Sequence, residues 1–157
     1  EAHSSLTHLG VSANMVAVRL MQRLADLAER LAGEGDWHGP FCPHHATLTI
    51  GQMQGGTAVN ILARECRFAF DLRTIPGQDP ETIVAPFLRA CAEMDAALRR
   101  RFPEAGVAVA RRSLTPSFAP ERLSAALICA CVSGICGMRG VILSHEIDGP
   151  RPCATAG

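Results

Sequence analysis

Three residues in this sequence combine useful chemistry with places where chain segments end. His3 stands beside Ser4 and Ser5, where a strand would emerge. Gly55-Gly56-Thr57-Ala58-Val59-Asn60 is a flexible turn that ends in a polar amide. Arg73 is the last outward residue of an alternating segment that Pro76-Gly77 stops. Gathered in one place, the three would suit an anionic or carbonyl-bearing substrate. An arginine forks onto a carboxylate, and a histidine and an asparagine donate to an oxyanion. Spacing alone leaves another arrangement open, in which His3 is simply exposed, Asn60 serves its turn and Arg73 pairs with Asp71.

Other chemistry-bearing residues carry weaker signals. His145-Glu146 would begin a zinc-protease helix motif, but Gly149 holds the position of its second histidine. Cys42-Pro43-His44-His45 could contact a soft metal, yet no second Cys/His pair follows at a ligand spacing, and Cys129 and Cys131 lie in a stretch that reads as helical, where small buried thiols are common. The composition of Cys42–His45 therefore reads as a surface loop. Ser4 and Ser5 are too close to His3 in sequence to define a nucleophile and its base. No Gly-x-Gly-x-x-Gly or Walker loop is present, so no nucleotide is expected.

Composition narrows the class further. The 157 residues carry 15 basic and 15 acidic side chains, and 48% are hydrophobic. That is enough apolar material for one core, and it excludes disorder. All the basic residues are arginine, with no run beyond Arg99-Arg100-Arg101 and no net positive charge, which argues against a nucleic-acid partner. No apolar run reaches the length of a membrane span. Seven cysteines, odd in number and scattered, fit reduced thiols and a cytoplasmic location better than a disulfide framework. Glu1 reads as a processed or truncated amino terminus.

Hydrophobic periodicity supplies the elements that would position these residues. From Gly10 to Leu31, Val16, Leu20, Leu24, Leu27 and Leu31 recur at helical spacing. Val11, Val18, Met21 and Ala25 widen the apolar arc beyond what covering one sheet requires, which predicts a second packing partner; Gly33 and Gly35 stop the helix. Thr47 to Ile50 alternates as a strand toward Gly55. Cys66, Phe68, Phe70 and Leu72 face in while Arg67, Asp71 and Arg73 face out. Asp79-Pro80-Glu81 opens a second helix, carried by Ile83, Phe87, Cys91, Met94 and Leu98, which Pro86 should kink or delay. Val107 and Val109 make a short strand. A strand just before Gly10 would complete a split βαβ, ferredoxin-like order. Beyond Thr115, Pro120 to Ser133 reads as helical, Val141-Ile142-Leu143 as a short buried strand, and the tail as outside the ferredoxin-like unit.

The stretch Ala2-His3-Ser4-Ser5-Leu6-Thr7, then Gly10-Val11-Ser12-Ala13, resembles the opening of the lid domain in acetylornithine deacetylase-like members of the M20 zinc amidohydrolase and peptidase family. Gly55-Gly56-Thr57-Ala58-Val59-Asn60-Ile61, then Arg64-Glu65-Cys66-Arg67-Phe68, then Asp71-Leu72-Arg73 with Pro76-Gly77, is similar to the same family in order and spacing. The resemblance runs over residues 1–113. It implies an α+β fold: a ferredoxin-like split βαβ lid and dimerisation domain, with an antiparallel sheet and two helices on one face. Residues 114–157 would form a partial return segment of an α/β catalytic domain, because Ser144-His145-Glu146-x-x-Gly149 resembles the Thr-Glu-x-Gly segment where the chain re-enters that domain.

The resemblance also implies a function. The chain would be a fragment of a zinc-dependent amidohydrolase that removes the acyl group from an N-acyl amino acid, N-acetylornithine of arginine biosynthesis above all. Other M20-type hydrolases are alternatives: a succinyl-diaminopimelate desuccinylase, an aminoacylase or a carboxypeptidase. So is a stand-alone, non-catalytic ferredoxin-like module. His3 would stabilise the oxyanion in the partner's site, and Asn60 and Arg73 would contact substrate. Zinc or cobalt would belong to the intact enzyme, with none expected on this fragment, whose own activity should be nil because the family's metal ligands are absent from it. Partners would be a second copy through the lid and a small N-acyl amino acid, with neither nucleic acid nor membrane.

Overall fold

The structure is a computed structural model that describes residues 2–39, 41–115 and 124–133. Helix α1, Ala13–Gly33, is followed by strands β1, Thr47–Gly55, and β2, Glu65–Thr74; helix α2, Pro80–Arg101, leads to β3, Gly106–Thr115, and β4, Ser124–Ser133. The four strands form one antiparallel sheet in the order β1-β2-β4-β3. This is an α+β domain of ferredoxin-like kind with both helices packed into one core.

That core follows from two periodicities meeting. The stripe Val16, Leu20, Leu24, Leu27 and Leu31 of α1 is buried against Cys66, Phe68, Phe70 and Leu72 of β2, joined by Val84, Phe87 and Cys91 of α2. Phe70 meets Phe87 edge to face, with ring centroids 5.3 Å apart, the arrangement that ring quadrupoles favour. α1 lies over β1 and β2, and α2 over β3. The wide arc on α1 divides as its width demands: Met21 packs half-buried against the core, whereas Val18 and Met15 are 53% and 61% exposed.

Local chemistry sets the ends. The Asp79 carboxylate accepts from the backbone N–H groups of Glu81 and Thr82, capping α2 just before Pro80. Pro86 does not delay this helix, which runs from Pro80 through it; so near the start, a proline forfeits a single backbone bond, to the carbonyl of Thr82. α1 begins at Ala13 rather than Gly10, and it ends at Glu34, whose N–H donates to the Arg30 carbonyl, without a left-handed glycine.

Two expectations are corrected. Residues 120–133 do not form a helix where described: 124–133 is a strand seated between β2 and β3. The spacing of Leu123, Leu127, Ala130 and Cys131 fits a helix, but Ser124 to Ser133 holds no charged residue, and a continuous apolar run suits an interior strand as well. Cys42 is disulfide-bonded, against the expectation of reduced thiols throughout, while Cys66 and Cys91 are free and buried. Burial pushes the Cys91 thiol up to about 12; Cys66 is also raised, by burial first and then by Glu65. Burial of both thiols keeps them from reacting with groups in solvent. The strand expected at Val141 to Leu143 and the segment Ser144 to Gly149 lie outside the described residues.

One electrostatic tie joins α2 to β3. The Asp95 carboxylate accepts from Arg99 Nε and from the Val107 backbone N–H, both at 2.8 Å. These bonds hold its carboxyl below the usual carboxylate range, Arg99 contributing most and burial opposing. A depressed folded-state pKa means stability that is present above the unfolded value, about 3.9, and lost as pH falls through the folded value. Acid titration of thermal stability should therefore show a loss below about pH 4 that Asp95→Ala reduces, with the variant less stable by about 1 kcal/mol at pH 7. Equal loss of Tm on acidification in both proteins would remove Asp95 from this role.

Candidate functional site

His3 and Asn60 meet at one end of the sheet. His3 forms an isolated antiparallel bridge with Ile61; on either side, the Ser4 N–H donates to the Asn60 carbonyl at 2.9 Å and the Leu62 N–H to the Ala2 carbonyl at 2.8 Å. Backbone pairing thus fixes His3 beside the loop that carries Asn60. Both side chains are exposed. His3 Nδ1 lies 2.8 Å from Ser5 Oγ and receives the Ser5 backbone N–H at 3.3 Å. A backbone N–H can only donate, so Nδ1 accepts and the ring proton sits on Nε2. With Nδ1 accepting, Nε2 is the ring nitrogen left to donate.

The turn between β1 and Asn60 is built on close approach. Gly55 sits so tightly against Asn14 and Cys66 that an added Cβ would fall 2.2 Å from Asn14 Oδ1, and Gly56 adopts φ +79°. Asn14 Oδ1 is buried without a hydrogen-bond partner. Periodicity does not mark Asn14, which stands in the first turn of α1; its packing onto Gly55-Gly56 is the feature that sequence reading missed.

Arg73 lies elsewhere. It stands at the far end of β2, opposite Thr47, roughly 26 Å from Glu65 at about 3.3 Å per residue. Its Nε donates to Asp71 Oδ2 at 2.7 Å, and both side chains are largely covered. Within one chain, His3 and Asn60 come together and Arg73 does not join them.

The Cys42–His45 loop gathers no ligand set. His44 contacts Trp37, with ring centroids 5.6 Å apart, His45 Nδ1 lies 2.9 Å from the Ala46 carbonyl oxygen, and Cys42 is in its disulfide. Among the described residues no three His, Cys, Asp or Glu side chains are grouped to hold a metal ion, and no helix is long and apolar enough to cross a membrane.

The sheet edge supplies a second feature. Among the described residues β1 pairs only with β2, and its residues from Gly51 to Gly55 are exposed, Met53 by 66%. α1, with Met15 and Val18 exposed, lies over this same edge.

Residues 1–98 match the M20 model described as a peptidase dimerisation domain. Over 83 residues, 53% of this chain, the sequence is 41% identical to an acetylornithine deacetylase of Myxococcus xanthus, and that match spans 22% of the relative's length. No solved structure matches.

Proposed function

Because the chain belongs to the M20 peptidase dimerisation-domain family, we propose that it is the lid and pairing module of a hydrolase that removes the acyl group from an N-acyl amino acid. N-acetylornithine, and with it arginine biosynthesis, is the substrate that the likeness to an acetylornithine deacetylase favours. In this reading residues 1–113, with β4 completing their sheet, are the lid and dimerisation domain, and the rest of residues 114–157 lead toward the catalytic part of the enzyme.

One observation carries the pairing role: among the described residues β1 is an open edge with exposed Met53, beneath a helix whose Met15 and Val18 are also exposed. An open edge invites another strand, and a two-fold partner must present the same surface. Antiparallel pairing of β1 with its own copy makes one continuous sheet. It brings the Gly55–Glu65 end of one copy to the Thr47–Arg73 end of the other, with the two β2 strands about 14 Å apart at ~4.8 Å per strand. His3 and Asn60 of one copy would then share an end with Arg73 of the second. That pairing would account for the separation seen within a single chain and supports a role for His3 in trans.

Enzymes of this family are generally metal-dependent. The described residues offer no cluster that fits a metal, so zinc or cobalt would be held elsewhere in the intact enzyme, and no step is assigned to it here. What this chain's residues would do is position substrate: Arg73 holds the carboxylate, Asn60 donates from its turn, and His3 Nε2–H meets the charge that develops on the carbonyl oxygen.

The test uses an intact enzyme carrying this domain. Its kcat/KM for N-acetylornithine should exceed that for N-succinyl-diaminopimelate and for other N-acyl amino acids by at least about tenfold, and the isolated chain should hydrolyse none of them. A reversed preference would assign another M20 hydrolase; hydrolysis by the isolated chain would remove the module reading altogether.

A further inference from the structure

The first turn of α1 carries a polar group that no hydrogen bond explains. Asn14 Oδ1 is buried without a partner, which opposes folding rather than favouring it. What the amide touches is specific. A Cβ added at Gly55 would fall 2.2 Å from Oδ1, and one at Gly56 would fall 2.9 Å from Nδ2, so neither position admits a side chain beside this amide. The Gly55 hydrogen that stands in that direction points toward Oδ1, a weak C–H···O contact. Gly56 then leaves the strand at φ +79°, a conformation that glycine adopts freely.

These two glycines are one foot of the exposed loop that carries Asn60. The other foot, Ala63, is buried, and its carbonyl accepts from the Ala13 N–H at 2.8 Å. Consecutive residues of α1 thus hold the loop on both sides, Ala13 by its backbone and Asn14 by its side chain. The helix is itself fixed to the core through buried Val16, Leu20 and Leu24. His3 takes its place from the loop: it pairs with Ile61, while its neighbours Ser4 and Ala2 bond to Asn60 and Leu62. Where the loop stands, His3 follows.

We propose that Asn14 is a positioning residue: its amide, wedged against Gly55 and Gly56, holds the loop that follows them and so sets where Asn60 and His3 stand. This rests on the roles proposed above for His3 and Asn60 and makes the two a unit, placed from the first turn of α1. Loss of the Asn14 side chain should spare the fold, because it removes an unsatisfied acceptor and alanine favours a helix more than asparagine does. Stability and loop placement therefore part company in one variant.

Asn14→Ala tests this in two ways. In the full 157-residue chain, hydrogen exchange read at single amides should accelerate at least about tenfold at Ser4 and Leu62, with Leu20, Leu24 and Phe70 unchanged and Tm not lowered. Unchanged rates at Ser4 and Leu62 would overturn the proposal whatever the enzyme does, and acceleration throughout the chain would overturn it as general loosening. In an intact enzyme carrying the domain, Asn14→Ala should lower kcat at least about tenfold, but by less than about threefold further once His3 is already alanine. Equal losses in both backgrounds would overturn a role that acts through His3. A kcat left intact by His3→Ala alone would fault the reading of His3, and the positioning role would fall with it.

Discussion

In an enzyme that carries this domain, His3→Ala is expected to lower kcat by about 10²–10³-fold with little change in KM. The argument begins with the backbone. Pairing to Ile61 fixes His3 beside the Asn60 loop, and the Ser5 N–H holds Nδ1 as an acceptor so that Nε2 carries the ring proton. A donor placed where negative charge develops acts on the transition state more than on bound substrate, so its loss appears in kcat. Arg73→Ala should behave differently. Its Nε is engaged by Asp71, which leaves the two terminal nitrogens to fork onto a carboxylate present throughout the reaction. KM should therefore rise while kcat stays nearly constant. Steady-state kinetics on both variants separates the roles. Equal effects on KM and kcat for the two would remove the division of labour drawn here.

Met15→Glu combined with Val18→Glu is expected to weaken association of the isolated chain at least about 100-fold, since two apolar side chains would leave the interface and two charges would have to be desolvated in it. Both residues are more than half exposed, so circular dichroism and the melting curve should change little. Met21, also part of the wide apolar arc, packs against the core, and a charge there would confuse folding with pairing. Sedimentation velocity reads the outcome directly. An unchanged dimer in the double variant would place the interface elsewhere, and a wild-type monomer at high micromolar concentration would exclude the β1 edge as a pairing surface.

Much of this was legible in the sequence where one residue's surroundings are local. The β2 alternation places Phe68, Phe70 and Leu72 in the core, the Asp79-Pro80 start predicts α2, and of the overwide arc of α1 Val18 is exposed while Val11 and Met21 pack partly against the core. Long-range pairing was not legible. The run Ser124 to Ser133 carries a helical spacing that the vacancy between β2 and β3 overrides, because an interior strand is chosen by the edges it satisfies rather than by its own pattern. The same limit applies to the site. Motif order groups His3, Asn60 and Arg73, but a ten-residue strand separates the last from the others; under the pairing proposed above a second copy would return it to them. The contact of Asn14 with Gly55 left no trace in periodicity, because one close approach between a helix turn and a glycine has no repeat to detect.

Complementation between two inactive subunits tests the central claim most directly: that the lid pairs two copies and sends His3 into the neighbour's site. Intact enzyme bearing His3→Ala is mixed with enzyme inactivated in its hydrolytic site but retaining His3, under conditions where subunits exchange. Each mixed dimer then holds one site with both working halves. At equal amounts and random pairing, activity should recover to about a quarter of the wild-type value, as expected for a two-fold dimer with one restored site in half of the molecules. Mixed dimers that form but show no activity above the parents would contradict the account and leave His3 a surface histidine at the end of a strand.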